Sequence, residues 1–214
     1  ELREILKRYR NPDGYDCIVP VSGGKDSTFQ VMKLLELGAN PLCVTATTCD
    51  LSEIGRKNIE NLKGLGVDYI EVTTNPEVRA KLNRHALTTI GDISWPEHVS
   101  IFTIPVRLSV QMKIPLIVWG ENPQNEYGGP AAAAEGHVLT REWLGTFGGL
   151  LGMSVEEVLC IRGFSPRDLV QYQYPSDEAL AYTGTTGIFL GYYYPWDGCG
   201  NALFSQAHGM TTYG

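Results

Sequence analysis

The sequence has no Cys-x-x-Cys motif, and its five cysteines are scattered along the chain. An odd number without a Cys-x-x-Cys pair does not fit a disulfide framework. Two of them stand inside apolar, strand-like runs, which favours reduced thiols and a cytoplasmic location. The five are Cys17, Cys43, Cys49, Cys160 and Cys199.

Positive charge is scarce, and no apolar run is long. Lysine and arginine number 17 against 24 aspartate and glutamate residues, which gives a net charge of −7. No basic run accompanies the aromatic residues as a nucleic-acid groove would require, so we expect no nucleic-acid partner. Hydrophobic residues make up 43% of the 214 residues. They lack the continuity of a membrane span, so we expect a soluble chain with one sizeable core.

A Walker-type phosphate loop is also missing. That loop has a glycine, four further residues and then Gly-Lys-Ser/Thr, and the sequence does not contain this pattern. What is present is Ser-Gly-Gly-Lys-Asp-Ser at residues 22–27, between an apolar run at 17–21 and a stretch with helical periodicity. That order predicts a strand, a glycine turn and a helix. Such a corner presents backbone N–H groups beside the positive end of a helix dipole and can hold phosphate oxygens.

Residue types within this turn suggest a division of roles. Gly23 and Gly24 permit the turn and a close approach of the ligand, while the serines at its two ends supply hydroxyl donors. Lys25 adds a mobile positive charge, and Asp26 is suited to hold magnesium or to orient the loop. The alternative is an ordinary glycine turn with a serine helix cap.

Apolar β-type runs alternate with helical segments, which is typical of a parallel sheet covered by helices on both faces. We predict an α/β fold with about five parallel strands and a helix-rich C-terminal third. The predicted strands are 17–21, 41–46, 68–72, 115–119 and the aromatic run 192–196 together with Phe189 and Leu190 before it. The predicted helices are 52–65, 76–90 and 98–112, the last interrupted by Pro105, and further helices start at Ser154, Ser165 and Ser176.

The carboxyl ends of parallel strands meet at one edge, where open α/β sheets bind ligands, so the loops after strands one, two and four should converge. The loop after strand four is dense in carboxylates and amides. Glu121 and Glu126 can bind magnesium or hold an ammonia nucleophile, and the amides of Asn122, Gln124 and Asn125 can bind a polar substrate. The alternative is a turn-rich surface loop, because Gly, Pro and Asn favour turns.

The turn at 22–27 resembles the PP-loop of the adenine-nucleotide alpha-hydrolase-like superfamily, which holds the pyrophosphate of ATP and transfers AMP. Three further segments make the resemblance more specific: Trp-Pro-Glu-His at 95–98, Trp-Gly-Glu-Asn-Pro at 119–123 and Glu-Tyr-Gly-Gly at 126–129. With them, the chain resembles the N-acetyl sugar amidotransferase family of lipopolysaccharide and flagellin-sugar pathways.

This resemblance implies conversion of an acetamido group to an acetamidino group on a nucleotide-linked N-acetyl sugar, with ATP, Mg²⁺ and ammonia. No cysteine stands in a Gly-x-Cys-x-Gly elbow that would mark a glutaminase. The family implies that a separate glutaminase subunit supplies ammonia through a channel subunit similar to the cyclase of imidazole glycerol phosphate synthase.

The resemblance also assigns residues to four roles. Those predicted to be catalytic are Lys25, Asp26, Glu121 and Asn122, and the magnesium ligands among them are Asp26 and Glu121. Those predicted to bind ATP are Val21, Ser22, Gly23, Gly24, Lys25, Asp26, Ser27, Thr45, Ala46, Thr47 and Gly120. Those predicted to bind the sugar substrate are His98, Glu126, Tyr127, Gly128 and Gly129.

Two residues have more than one possible role. His98 also fits a packing or capping role at a helix end. Cys49 fits a sulfur-carrying nucleophile, as in tRNA-thiolating relatives, although a buried thiol is the commoner role. At the level of the whole chain, a PP-loop tRNA-modifying enzyme of the thiolation or lysidine type and a non-catalytic adenine-nucleotide sensor both remain open.

We predict one PP-loop domain over residues 1–214, with a core at 14–130 and a C-terminal extension at 131–214. Members of the family usually carry a cysteine-rich segment before this domain and continue further after it. Both pieces are absent from this sequence, so we expect no metal ligands beyond those of magnesium.

Overall fold

The structure, a computed structural model, describes residues 1–47, 51–121, 138–139, 153–161 and 163–212. Within these ranges, five parallel strands and one short antiparallel strand form a single sheet in the order β3-β2-β1-β4-β6-β5. The strands are β1 (Cys17–Pro20), β2 (Pro41–Thr47), β3 (Asp68–Thr73), β4 (Leu116–Trp119), β5 (Val138–Leu139) and β6 (Thr186–Phe189).

Helices alternate with the strands along most of the chain. They are α1 (Leu2–Arg8), α2 (Lys25–Glu36), α3 (Glu53–Gly64), α4 (Pro76–Ile90), α5 (Trp95–Met112), α6 (Val155–Leu159), α7 (Asp177–Thr183) and α8 (Gly198–Ala207). Among the described residues, none of these helices combines the length and apolar character needed to cross a membrane.

The sheet is covered on both faces. In β1, Cys17 and Val19 join the core formed with α1, α2 and α3, whereas Ile18 joins the core formed with α5. Successive side chains of a strand point to opposite faces, so an unbroken apolar strand requires helices on each side. The predicted α/β fold with about five parallel strands is confirmed.

Local capping signals fix several helix starts where the sequence places them. The Ser52 side chain accepts a hydrogen bond from the Gly55 N–H at the start of α3, and Ser154 forms a capping box with Glu157 at the start of α6. Helix α4 has the predicted bounds, because Asn75 caps it and Gly91 ends it in a left-handed conformation. These caps satisfy N–H groups that a helix cannot pair internally.

Helix α5 differs from the prediction at two points. It begins at Trp95, three residues before the predicted start, and it continues through Pro105 without interruption. The Trp95 side chain is fully buried and its indole N–H donates to the Met153 carbonyl at 3.2 Å. Pro105 removes one main-chain hydrogen bond. The burial of Ile104 and Val106 against the sheet keeps the helix continuous.

The prediction of a fifth strand in the aromatic run is wrong. The strand is β6, and residues Leu190–Tyr192 form a 3₁₀ turn in which the Tyr193 and Tyr194 N–H groups donate to the Leu190 carbonyl. Because this turn ends the strand, Tyr194 instead packs edge-on to Phe29 of α2, with ring centroids 6.2 Å apart. The accompanying prediction that the run packs against the core is confirmed.

The helix predicted to start at Ser165 is also wrong, since residues 166–172 form turns. The main-chain N–H and the hydroxyl of Ser165 both donate to the Asp168 carboxylate, at 2.9 and 2.7 Å, and close a local turn. The start at Ser176 is confirmed, because its side chain accepts from the Ala179 N–H at the beginning of α7.

Asp16 anchors β1 at the amino edge of the sheet. Its side chain is only 2% exposed and accepts from the Asn11 N–H at 2.7 Å, the Asn40 N–H at 2.8 Å and the Arg10 guanidinium at 2.7 Å. Burial raises the pKa of this carboxyl, but the three donors together outweigh burial and hold the pKa below its ordinary value. The ionised carboxylate therefore stabilises the folded state.

Replacing Asp16 with Asn should lower the free energy of unfolding at pH 7 by about 2 kcal/mol, because the amide cannot accept from all three donors. The stabilisation by Asp16 is present above the unfolded-state pKa of about 3.9 and is lost as pH falls through the lower folded-state pKa. Urea unfolding should therefore show a difference between wild type and Asp16→Asn that shrinks below about pH 4. Asp13→Asn, at an exposed position of the same loop, is the control, and an equal loss there would contradict the assignment.

Candidate phosphate-binding site

The candidate site lies where the strand order reverses. Strands β2 and β3 lie on one side of β1, and β4 and β6 lie on the other. The turn after β1 and the segment Gly120–Glu121 after β4 consequently leave neighbouring strands at the same edge and diverge. In open α/β sheets this divergence creates the crevice that binds ligands.

Gly23 sets the shape of the turn. Its φ angle is +85°, and a Cβ atom added there would lie 3.0 Å from Ile59 Cγ1 and 3.4 Å from the Gly55 carbonyl oxygen. A side chain at this position would therefore be strained by the backbone and would collide with α3. Just before it, the Val21 N–H donates to the Val44 carbonyl at 2.9 Å. The turn is thus held between β2 and α3.

The first turn of α2 has no hydrogen-bond acceptor for its N–H groups among the described residues. Gly24 is the N-cap residue and has no side chain with which to cap the helix. The first four N–H groups of a helix have no partner within it. Of the residues that the structure describes, only Ser22 would lie near a Cβ atom added at Gly24, with its Oγ at 3.6 Å. The main chain is therefore open to a ligand on that side.

Ser22 and Ser27 form a linked pair of hydroxyls. Ser27 Oγ accepts from the Ser22 N–H at 2.8 Å and lies 3.2 Å from Ser22 Oγ. Ser27 is buried and Ser22 is exposed. If the Ser27 hydroxyl donates to Ser22, the Ser22 hydroxyl keeps its own hydrogen for a ligand. Of the two predicted donors, Ser22 therefore faces solvent, and Ser27 is hydrogen-bonded to it from the buried side.

Lys25 and Asp26 carry the charge of the site. The Lys25 ammonium contacts Asp26 Oδ2, and both side chains are 40% exposed. The other carboxylate oxygen of Asp26 accepts from Asn201 Nδ2 at 2.8 Å. The carbonyl of Lys25 accepts from the Ser205 hydroxyl at 2.6 Å. The C-terminal helix α8 thus contacts both residues.

The β2 residues predicted to bind ATP lie at the carboxyl end of that strand. The Thr45 hydroxyl donates to the Val21 carbonyl at 2.6 Å and also contacts the Tyr69 hydroxyl, so it serves the fold of the turn. Burial raises the pKa of Tyr69 to about 12, which keeps this phenol neutral. Ala46 and Thr47 are half-buried at the edge of the sheet.

An ion pair stands beside them. Arg56 donates both of its terminal nitrogens to the Glu71 carboxylate, at 2.8 and 3.0 Å, and the Thr47 hydroxyl donates to the same carboxylate at 3.1 Å. The Arg56 guanidinium holds the pKa of Glu71 below its ordinary value. Glu71 is therefore ionised at neutral pH.

His98 lies in the first turn of α5. Its Nδ1 atom is 3.6 Å from Asp92 Oδ2, and one helical turn later the Phe102 ring packs against Trp119, with centroids 5.4 Å apart. Trp119 is the last residue of β4. The start of α5 therefore lies toward the carboxyl edge, where His98 Nδ1 is near Asp92 but makes no hydrogen bond among the described residues.

Gly120 and Glu121 follow β4 directly. A Cβ atom added at Gly120 would lie 3.3 Å from the Trp196 ring and 3.3 Å from Gln30 Oε1, so the position has no room for a side chain. The remaining predicted residues after β4, together with Cys49 after β2, lie outside the described residues. They are Asn122, Gln124, Asn125, Glu126, Tyr127, Gly128 and Gly129.

No family model matches the chain, and no curated protein matches it. Among solved structures, the chain is similar to a predicted subunit of tRNA methyltransferase from Methanocaldococcus jannaschii. The sequence identity is 14% and the TM-score 0.37, over 80% of this chain and 96% of the other. At this distance the likeness has no bearing on function, which has to be argued from the residues of the site.

Three residues of the site were not found from the sequence: Trp196, Asn201 and Ser205. A usable signal does exist, because Asp197 caps α8 by accepting from the Gly200 N–H, and Asn201 and Ser205 are four residues apart on one face of that helix. Polar residues at that spacing suggest a contact with another polar element. The sequence does not indicate which element it is.

Replacing Gly23 with Ala should destabilise the protein more than replacing Gly66 with Ala. Both glycines have left-handed φ angles, +85° and +87°, but no atom of the described residues lies within 4 Å of a Cβ added at Gly66. Backbone strain alone should cost Gly66→Ala about 1 kcal/mol, and the collision with Ile59 should bring Gly23→Ala to about 2 to 3 kcal/mol. Urea unfolding measures both, and equal losses would contradict the packing of Gly23 against α3.

Proposed function

We propose that the protein is an ATP-dependent amidotransferase that forms AMP and pyrophosphate while converting an acetamido group on a nucleotide-linked N-acetyl sugar into an acetamidino group. The observation that carries this proposal is the uncapped start of α2 behind the Gly23 turn, at the reversal of strand order. The motifs after β4 supply the resemblance to the sugar-modifying family.

The residues present suit the phosphates of ATP. The N–H groups at the start of α2, the exposed Ser22 hydroxyl and the Lys25 ammonium are all donors, and Gly24 leaves space for close approach. Helix N-termini attract anions through these donors and the helix dipole. Lys25 adds a compact charge at the same end of the helix.

The chemistry asks for charge stabilisation more than for a protein nucleophile. The acetamido oxygen would attack the α-phosphorus of ATP, and the bond from that phosphorus to the pyrophosphate would break. Ammonia would then attack the activated carbon, the bond from that carbon to the AMP oxygen would break, and a proton would leave the nitrogen. Donors fixed around the phosphates lower the barrier of such a displacement by stabilising the charge that develops.

Asp26 and Glu121 would hold Mg²⁺, which would neutralise charge on the pyrophosphate. The described residues contain no cluster of three or more His, Cys, Asp and Glu side chains suited to a metal ion. Magnesium in phosphate sites needs only one or two carboxylates besides the phosphate oxygens. Among the described residues, each Asp26 oxygen has one donor, and a carboxylate oxygen has two acceptor positions. The carboxylate can therefore still bind a cation.

Ammonia would come from a separate glutaminase subunit through a channel subunit similar to a cyclase. The sugar would be recognised from the loop after β4 and from the start of α5, where His98 stands. Asn122 would assist the chemistry beside Glu121.

The test is AMP formation. The purified protein is incubated with ATP, Mg²⁺ and ammonium against UDP- and CMP-linked diacetamido sugars, and AMP, pyrophosphate and the mass of the sugar product are measured. We expect AMP only with a sugar that gains an amidino group. Lys25→Ala should lower the rate by about 100-fold or more, because a donor to the developing charge is lost.

Lys7→Ala is the matched control, since this lysine is exposed on α1 and pairs with Glu4. Its rate should equal that of wild type. AMP formation that depends on tRNA instead of a sugar would replace the proposal with a tRNA-modifying activity. Tight ATP binding without any turnover would favour an adenine-nucleotide sensor.

A further inference from the structure

The C-terminal segment 190–205 contacts both sides of the crevice. On the β4 side, the Gly191 N–H donates to the Gly120 carbonyl at 3.0 Å, and the Trp196 ring closes over Gly120. On the β1 side, α8 packs along α2. Just before α8, the Trp196 ring meets the Phe29 ring of α2 edge-on, with centroids 5.5 Å apart. The segment is therefore seated against the two elements that form the candidate site.

Two buried polar side chains of α8 point at the phosphate turn. Asn201 is 2% exposed and Ser205 is fully buried. Asn201 Nδ2 donates to Asp26 Oδ1 at 2.8 Å, and Ser205 Oγ donates to the Lys25 carbonyl at 2.6 Å. Burying an amide is costly unless its hydrogen bonds are made. The position of Asn201 is therefore tied to that of the Asp26 carboxylate.

The two partners of Asp26 differ in how firmly they are held. Lys25 reaches it from the solvent side on a flexible chain and is itself 40% exposed. Asn201 approaches from the protein side on a packed helix. An amide donor to one carboxylate oxygen restrains the orientation of the carboxylate, and the other oxygen, Oδ2, is the one that the solvent-exposed Lys25 contacts.

We propose that Asn201 is a positioning residue that orients the Asp26 carboxylate for a divalent cation at the phosphate site, so that α8 completes this site. The inference rests on the proposed function, because it takes the phosphate turn to bind ATP. It adds a residue from the C-terminal segment that the PP-loop motif does not contain. The consequence is that replacing Asn201 should change the Mg²⁺ concentration needed for nucleotide binding, even though Asn201 does not touch the cation.

The test measures how much Mg²⁺ is needed for nucleotide binding. Binding of α,β-methylene-ATP, which resists cleavage next to the α-phosphorus, is followed by calorimetry at increasing Mg²⁺ concentration for wild type, Asn201→Leu and Asn201→Ala. Loss of a residue that orients a metal ligand commonly weakens metal affinity by about 10- to 100-fold. We expect the Mg²⁺ midpoint of both variants to rise by about tenfold or more.

Asn58→Leu is the matched control. Asn58 is also buried, at 7% exposure, and exchanges two hydrogen bonds with the main chain of Thr211, at 3.0 and 2.8 Å. It therefore holds the segment that follows α8 without touching Asp26. We expect Asn58→Leu to lower the free energy of unfolding and to leave the Mg²⁺ midpoint within about twofold of wild type, because only docking of the segment is disturbed.

A double-mutant cycle separates orientation from stability. If Asn201 acts through the carboxylate, Asn201→Ala should not raise the Mg²⁺ midpoint further in an Asp26→Asn background. Urea unfolding of each variant shows that it is folded. The proposal is overturned if Asn58→Leu and Asn201→Leu shift the midpoint equally, or if Asn201→Ala still shifts it when Asp26 is Asn.

The same measurements distinguish this inference from the proposed function. Wild-type protein that binds the analogue with Mg²⁺ but makes no AMP with any sugar would overturn the amidotransferase proposal alone. The comparison of Mg²⁺ midpoints would still decide the role of Asn201. Wild-type protein that shows no Mg²⁺-dependent binding of the analogue would overturn both.

Discussion

The structure depends on one steric constraint: the chain can leave β1 and enter α2 only through a residue without a side chain at Gly23. Its left-handed φ angle and its contact with Ile59 place the turn against α3. The Val21 main chain is hydrogen-bonded to β2 through the Val44 carbonyl and the Thr45 hydroxyl. Because the turn is held in this way, α2 begins at the edge of the sheet where the strand order reverses. Any phosphate chemistry at this edge relies on that placement.

The C-terminal segment completes this arrangement. Strand β6 extends the sheet beside β4, the 3₁₀ turn then directs the chain back across α2, and α8 packs there. The residues after α8 attach to α3, where Asn58 and Asn61 bond the main chain at Thr211 and His208. Helices α2 and α3 both contact the turn around Gly23. The far end of the chain reaches the turn directly at the Asn201–Asp26 contact, across 175 residues of sequence.

The features that could be predicted from the sequence are those set by neighbouring residues, and the features that could not are set by contacts between distant residues. The bounds of α4 were predicted because Asn75 and Gly91 are local signals for a helix start and end. The strand, turn and helix around Gly23 are equally local. The start of α5 was missed because it is set by burial of Trp95 against Met153, far along the chain. The aromatic run was mistaken for a strand because β propensity is high there, whereas Gly191 is held by the Gly120 carbonyl in a tertiary contact. The spacing of Asn201 and Ser205 is a local signal for a polar contact, but it does not indicate that the partner is Asp26, 175 residues away.

The charges at the turn also indicate how a ligand would enter. In the free protein, Lys25 and Asp26 neutralise each other on the solvent side. A pair this exposed is worth about 0 to 1 kcal/mol, so a triphosphate can displace it at little cost. Lys25 would then move to the phosphate oxygens, and the carboxylate would need a new cation. Under the proposed function that cation is Mg²⁺, and Asn201, packed on α8, would stay in place while Lys25 leaves. When Mg²⁺ replaces Lys25 beside Asp26, the net charge there stays balanced only if nucleotide and metal bind together. Nucleotide binding would then be coupled to metal binding without a large movement of the fold.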